Sequence, residues 1–133
     1  MRMGIIAATI LLSTFGAVRA EVAFQSAPQA ISAARDAIKL HYITRNIYYP
    51  VVCPHLTEGN DTFVKCHDGS GIGGLFLIQV HGSTPTIYIV NGKAKTHLRG
   101  YTKLLSADQK PIAVEPWNGQ AIDIPKINAQ MRP

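Results

Sequence analysis

TFVKCHDGSGIGGLFLIQVHGSTPTIYIVNGKAKTHLR, residues 62–99, holds three apolar or alternating runs divided by glycine-rich or polar turns. The last turn is Asn91-Gly92. Asn-Gly between alternating runs is a strong hairpin signal, because a type I′ turn needs positive φ at both central residues and these two tolerate it. A two-residue loop there pairs Val90 with Lys93, Ile89 with Ala94, Tyr88 with Lys95 and Ile87 with Thr96. Cross-strand partners share a face. The reading puts Ile87, Ile89, Ala94, Thr96 and Leu98 on a core face. Thr86, Tyr88, Val90, Lys93, Lys95 and His97 fall on a wet one, as in an antiparallel sheet with one face in water. The uniformly apolar run GLFLIQV, residues 74–80, reads as a central strand, with residues 62–67 as its neighbour.

Upstream, residues 26–45 read as a helix. Ser26 is a cap, Gln29 completes a capping box, and Pro28 is tolerated in the first turn. Ala27, Ala30, Ile31, Ala34, Ile38 and Tyr42 recur at helical spacing. Asn46 ends the pattern and Pro50 forbids its continuation. EVAFQ, residues 21–25, alternates like a short strand. Tyr48 to Val52 reads as extended, with Pro50 marking an edge. After Gly100 the pattern weakens: residues 101–110 suit one helical turn, and Asn118-Gly119 suggests a second hairpin that Pro111 and Pro116 limit to an edge. Residues 127–133 read as a loose tail. The expected class is therefore α+β, one N-terminal helix packed across a sheet of three to five antiparallel strands. In order of elements alone, this layout resembles cystatin-like folds and pilin-type globular domains. No motif assigns the chain to either.

The first 20 of the 133 residues carry the marks of a secretory signal peptide. Arg2 supplies a positive start, residues 5–15 an apolar run too short to span a membrane, and Val18-Arg19-Ala20 a small-x-small cleavage site. The mature chain is expected to start at Glu21 and to form one α+β domain, residues 21–133, with no membrane span and a secreted, periplasmic or extracellular location. Without Arg2 and Arg19 the formal charge falls from +5 to +3. Cys53 and Cys66 are the two cysteines, and in an oxidising compartment they predict a disulfide. It closes a loop of about 14 residues and contributes about 3 kcal/mol by the chain-entropy argument. Asn60-Asp61-Thr62 is a glycosylation sequon.

The chemistry-bearing residues are sparse. Cys53, His55, Cys66 and His67 are metal-ligand types, but C-x-H followed by C-H is not a finger spacing, and adjacent strand residues face opposite ways. They define an alternative reading as a periplasmic copper or zinc protein. His41, His55, His67, His81 and His97 supply candidate bases for a small hydrolase, yet none sits beside a nucleophile motif. The acidic residues are dispersed, so no carboxylate pair is named. Residues 68–74, DGSGIGG, resemble a phosphate cradle, but strand sequence follows where a helix start is needed. Candidate binding residues are the aromatics Tyr48, Tyr49, Tyr88 and Trp117 with the basic set Lys93, Lys95 and His97, which Arg99 and Lys103 extend. These features point to a non-catalytic module that binds another protein or an envelope component, as an assembly subunit, inhibitor or immunity factor. No cofactor and no nucleic acid is expected.

Overall fold

A computed structural model describes residues 22–131. The expected leader, residues 1–20, and the cleavage point before Glu21 lie outside them. In chain order the elements are α1 (Ala27–Thr44), β1 (His55–Glu58), β2 (Asp61–His67), β3 (Gly73–His81), β4 (Thr84–Ile89), α2 (Gly92–His97), β5 (Lys103–Leu105), β6 (Pro111–Pro116) and α3 (Ile124–Gln130). None of the described helices is long and apolar enough to cross a membrane.

Ser26 caps α1 as read, without the reciprocal Gln29 side-chain bond of a full capping box among the described residues. Ser26 is extended and its hydroxyl accepts the Gln29 N–H at 3.2 Å, while Pro28 sits in the first turn, where its missing N–H has no helical partner. Ala30, Ala34, Ala37, Ile38, His41 and Tyr42 form the buried stripe. Short alanine side chains let the helix axis approach the sheet. Past Arg45 the chain turns away through Asn46, which takes a left-handed φ of 53°.

The sheet has six strands in the order β1-β2-β3-β4-β6-β5. β1 to β4 form an antiparallel meander. β6 then runs parallel to β4, and β5 pairs antiparallel outside it. The sheet is therefore mixed and larger than the expected three to five antiparallel strands. The run 74–80 is central and 62–67 is its neighbour, as the apolar pattern predicts. Both faces are covered. Val64, Cys66, Phe76, Ile78, Ile87 and Ile112 pack under α1. On the opposite face Phe63, Leu75 and Leu77 pack with Ile127 of α3, bordered by Tyr88 and Trp117.

The Asn91-Gly92 hairpin is not formed. Asn91 lies at φ −122°, outside the type I′ range, and caps α2 instead. Its Oδ1 accepts N–H groups from Leu75 at 3.0 Å and Ala94 at 2.9 Å, and its Nδ2 donates to the Gly73 carbonyl at 3.0 Å. One side chain thus extends the β3 ladder and starts a helix. The two-residue hairpin turns are Gly59-Asn60 and Gly82-Ser83, where each glycine holds the positive φ. The sequon residue Asn60 is exposed at the first of these turns.

Several other expectations are corrected. Residues 22–26 form no strand. Of residues 48–52, Val52 alone pairs, in a bridge to His67, and Tyr49–Pro50 is cis. Residues 103–105 are strand rather than helical turn, and α3 replaces much of the loose tail. β6 is an interior strand despite two prolines. Its parallel ladder with β4 begins at Ala113, beyond Pro111, and Pro116 directs its missing N–H toward the side where β5 has already ended. Asn118-Gly119 is no hairpin: Gly119 lies beneath the Trp117 indole, where an added Cβ would stand 2.5 Å from the ring. The Cys53–Cys66 disulfide forms, tying the segment before β1 to β2, with Cys66 fully buried.

Candidate binding surface

The surface is built on a buried polar hinge between α1 and α2. The Tyr42 hydroxyl and His97 Nδ1 share a hydrogen bond of 2.6 Å, and His41 Nε2 donates to the His97 carbonyl at 3.1 Å. Burial, reinforced by nearby Tyr48, pushes the Tyr42 hydroxyl far above its ordinary value, so it keeps its proton. Burial holds His97 below the usual imidazole range, with Lys93 and His41 adding to the effect. It lowers His41 too, though the His97 carbonyl opposes that shift. Tyr48 stacks on Tyr42 at 5.6 Å, and Phe76 meets it edge-on at 6.2 Å. Gly74 is required beneath the Tyr42 hydroxyl, which an added Cβ would approach to 2.2 Å.

This hinge positions residues 98–101 at the surface. Leu98 is buried, Gly100 takes a positive φ of 84°, and Tyr101 folds back against His41 with ring centroids 4.7 Å apart. The Arg45 guanidinium carbon lies over the Tyr101 ring, 5.8 Å from its centroid, a cation–π arrangement. Two clefts meet at Gly100 and Tyr101. The first, about 520 Å³, runs between α1 and β5, lined by Leu40, Arg45, Lys103 and Leu105. The second, about 500 Å³, runs between α2 and the end of β6, lined by Ile89, Lys95, Arg99 and Trp117. Among the described residues no Asp or Glu lines either cleft. The ion pair found among the described residues joins Lys110 to Asp108, elsewhere. Arg45, Lys95, Arg99 and Lys103 therefore face the clefts with no carboxylate partner among the described residues. Leu40 and Leu105 are 41% and 45% exposed beside them.

The structure divides the candidate binding residues into separate groups. Tyr48 and His97 meet at the hinge, 5.2 Å apart. Tyr88 and Trp117 meet on the opposite sheet face, edge-on at 5.2 Å, and Trp117 also reaches the second cleft together with Lys95. Tyr49 is 93% exposed before Pro50, apart from both groups. Lys93, Lys95 and His97 do not alternate along a strand. They lie on α2, with the lysines outward and His97 turned in. Arg45, Tyr101, Leu40 and Leu105 were not signalled by sequence. The one available cue was Arg45, at the end of the helical pattern one turn past His41.

The alternative metal set does not assemble. Cys53 and Cys66 are bonded to each other, and no group of three or more His, Cys, Asp or Glu residues converges among the described residues. His67 Nδ1 accepts the Gly69 N–H at 2.9 Å and the Gly71 N–H at 3.3 Å, which folds the glycine-rich loop back on its own strand. That loop leads into β3, not into a helix. Comparison with family models, with curated proteins and with solved structures finds no match for this chain.

Proposed function

We propose that this chain is a secreted or periplasmic binding module, stapled by one disulfide, that docks an acidic segment of another protein or envelope component and does no chemistry itself. The observation that carries the reading is the pair of clefts around Tyr101, whose linings hold Arg45, Lys95, Arg99 and Lys103 and, among the described residues, no carboxylate. The four exposed cations draw an anion in from solvent, and the apolar walls supply contact area. Tyr101 and Trp117 are aromatic anchors with the body and polar tip typical of interface centres. The disulfide supports an oxidising location, and the buried hinge supplies a rigid mount.

The test is site-specific photo-crosslinking with Tyr101→p-benzoylphenylalanine in an extract of the source cell's envelope. The expected adduct maps to one partner segment rich in Asp and Glu. An adduct on a neutral or basic segment, or on lipid, contradicts the reading, as does crosslinking that Arg45→Glu and Arg99→Glu leave unchanged.

A further inference from the structure

β5 is an outer strand of the sheet, and its pairing pattern says which of its main-chain groups face outward. The Val114 N–H donates to the Thr102 carbonyl, and the Ser106 N–H donates to the Lys110 carbonyl. With Leu104 opposite Ile112, residues 102, 104 and 106 therefore direct their N–H and C=O groups toward β6. Lys103 and Leu105 direct theirs away from it, along the side of the α1 cleft. The opening of that cleft is thus a sheet edge with α1 beside it.

Each wall offers the same chemistry. On the α1 side stand Leu40 and Arg45, about 7.5 Å apart along the helix axis at the standard rise. On the β5 side stand Lys103 and Leu105, two strand positions apart, about 7 Å. Arg45 sits over Tyr101, at the Lys103 end of the cleft. A strand entering here meets one cation and one leucine on each of its faces, at the spacing of its own alternate residues.

We infer that the outer edge of β5, unpaired among the described residues, takes up an extended acidic segment of the partner polypeptide as a seventh strand, paired to the outward N–H and C=O groups of Lys103 and Leu105, with one acidic and one apolar side chain on each face. The inference rests on the binding reading above and specifies the ligand's form: two acidic residues followed by two apolar ones. Main-chain bonds give such a mode its affinity and alternate side chains its selectivity. A second copy of this chain is the less suitable occupant, because an edge-to-edge pair crowds two Arg45 and two Lys103 side chains into one groove. The opposite edge, β1, carries Glu58 beside Asp61 and repels an acidic strand.

The probe is the octapeptide Glu-Glu-Val-Val-Glu-Glu-Val-Val, added to the disulfide-bonded chain. Its affinity is measured by calorimetry, and amide exchange is followed by NMR. The expected result is saturable binding that slows exchange at the Lys103 and Leu105 amides at least tenfold. Leu105→Pro, which removes an outward N–H without taking a bond from β6, weakens binding at least tenfold more than Leu105→Ala, which trims the same wall but keeps that N–H. The exchange experiment needs no variant and stands even where Leu105→Pro fails to fold. Binding without protection of these two amides overturns the strand-pairing inference and leaves the acidic-ligand reading in place. No binding at all overturns both. Protection that appears without peptide and grows with protein concentration assigns the edge to a second copy and overturns the inference.

Discussion

A methyl group added at Gly74 meets the Tyr42 hydroxyl at 2.2 Å, with Ala94 Cα and Phe76 Cε2 each 3.2 Å away. Neither of those neighbours has room to retreat, since Phe76 and Ala94 are fully buried. The hydroxyl is held in place by its 2.6 Å bond to His97. Gly74→Ala must therefore shift the ring or break that bond. Overpacking of this kind costs about 1–3 kcal/mol, and loss of the bond adds about 1 kcal/mol. At about 4 °C of Tm per kcal/mol for a chain of this size, the expected drop is roughly 8–16 °C. Tyr42→Phe alone leaves His97 Nδ1 without its hydroxyl partner and costs about 1–2 kcal/mol. It also removes the atom that the new methyl would strike, so the double variant should be more stable than the sum of the single losses by about 1–2 kcal/mol. Urea unfolding of the four proteins closes the cycle. Additivity within about 0.5 kcal/mol, or a Gly74→Ala loss below about 1 kcal/mol, refutes the packing argument.

Removing the disulfide with paired Cys53→Ser and Cys66→Ser substitutions should cost about 3 kcal/mol in the same urea assay, and a loss below about 1 kcal/mol speaks against a constrained 53–66 loop. Asn91→Ala removes the α2 cap and its two bonds to β3, so a loss of about 2–3 kcal/mol is expected. If the segment were a tight hairpin turn instead, Asn91→Gly would be nearly neutral, and thermal melts separate the two cases. Stability should also fall on mild acidification. Unfolded imidazoles titrate near 6.5, whereas burial holds His41 and His97 lower in the fold, so the unfolded chain takes up protons first. The contribution is whole above about pH 6.5 and is lost as the pH falls through the folded-state values. A Tm that is flat or rises between pH 7 and 5 contradicts this assignment.

The parts of the fold that the sequence revealed are those where local pattern and tertiary role agree. Ser26 and Pro28 mark a helix start whatever the helix touches, and GLFLIQV is apolar enough to be central in any sheet. The Asn91-Gly92 reading failed because asparagine serves two ends: it tolerates positive φ in a turn, and its side chain caps helices. The choice fell to the cap because the Asn91 side chain reaches both Gly73 and Leu75 on β3, a contact that no local window contains. Glycine followed by a small polar residue at Gly59-Asn60 and Gly82-Ser83 was the better hairpin signal, and both turns are present. The parallel step from β4 to β6 was hidden because β6 arrives after a helix and an edge strand, out of sequence order. Pro111 and Pro116 pointed to an edge only under the assumption of a plain antiparallel neighbour. Of the candidate surface, Lys95, Arg99, Lys103 and Trp117 stood out as charged or aromatic residues. Arg45 and Tyr101 join them only through the packing of α1 against residues 98–101, which links positions more than fifty residues apart.

Calorimetric titration of the Glu-Glu-Val-Val-Glu-Glu-Val-Val peptide at rising sodium chloride, with the native chain and with Arg45→Glu, Arg99→Glu, tests the acidic-ligand reading most directly. Screening by salt weakens exposed charge pairs, so the expected Kd rises roughly tenfold or more between 0.05 and 0.5 M, and charge reversal abolishes binding at the lower salt. A Kd indifferent to salt and to charge reversal, or equal affinity for the matching Lys-Lys-Val-Val-Lys-Lys-Val-Val peptide, contradicts it.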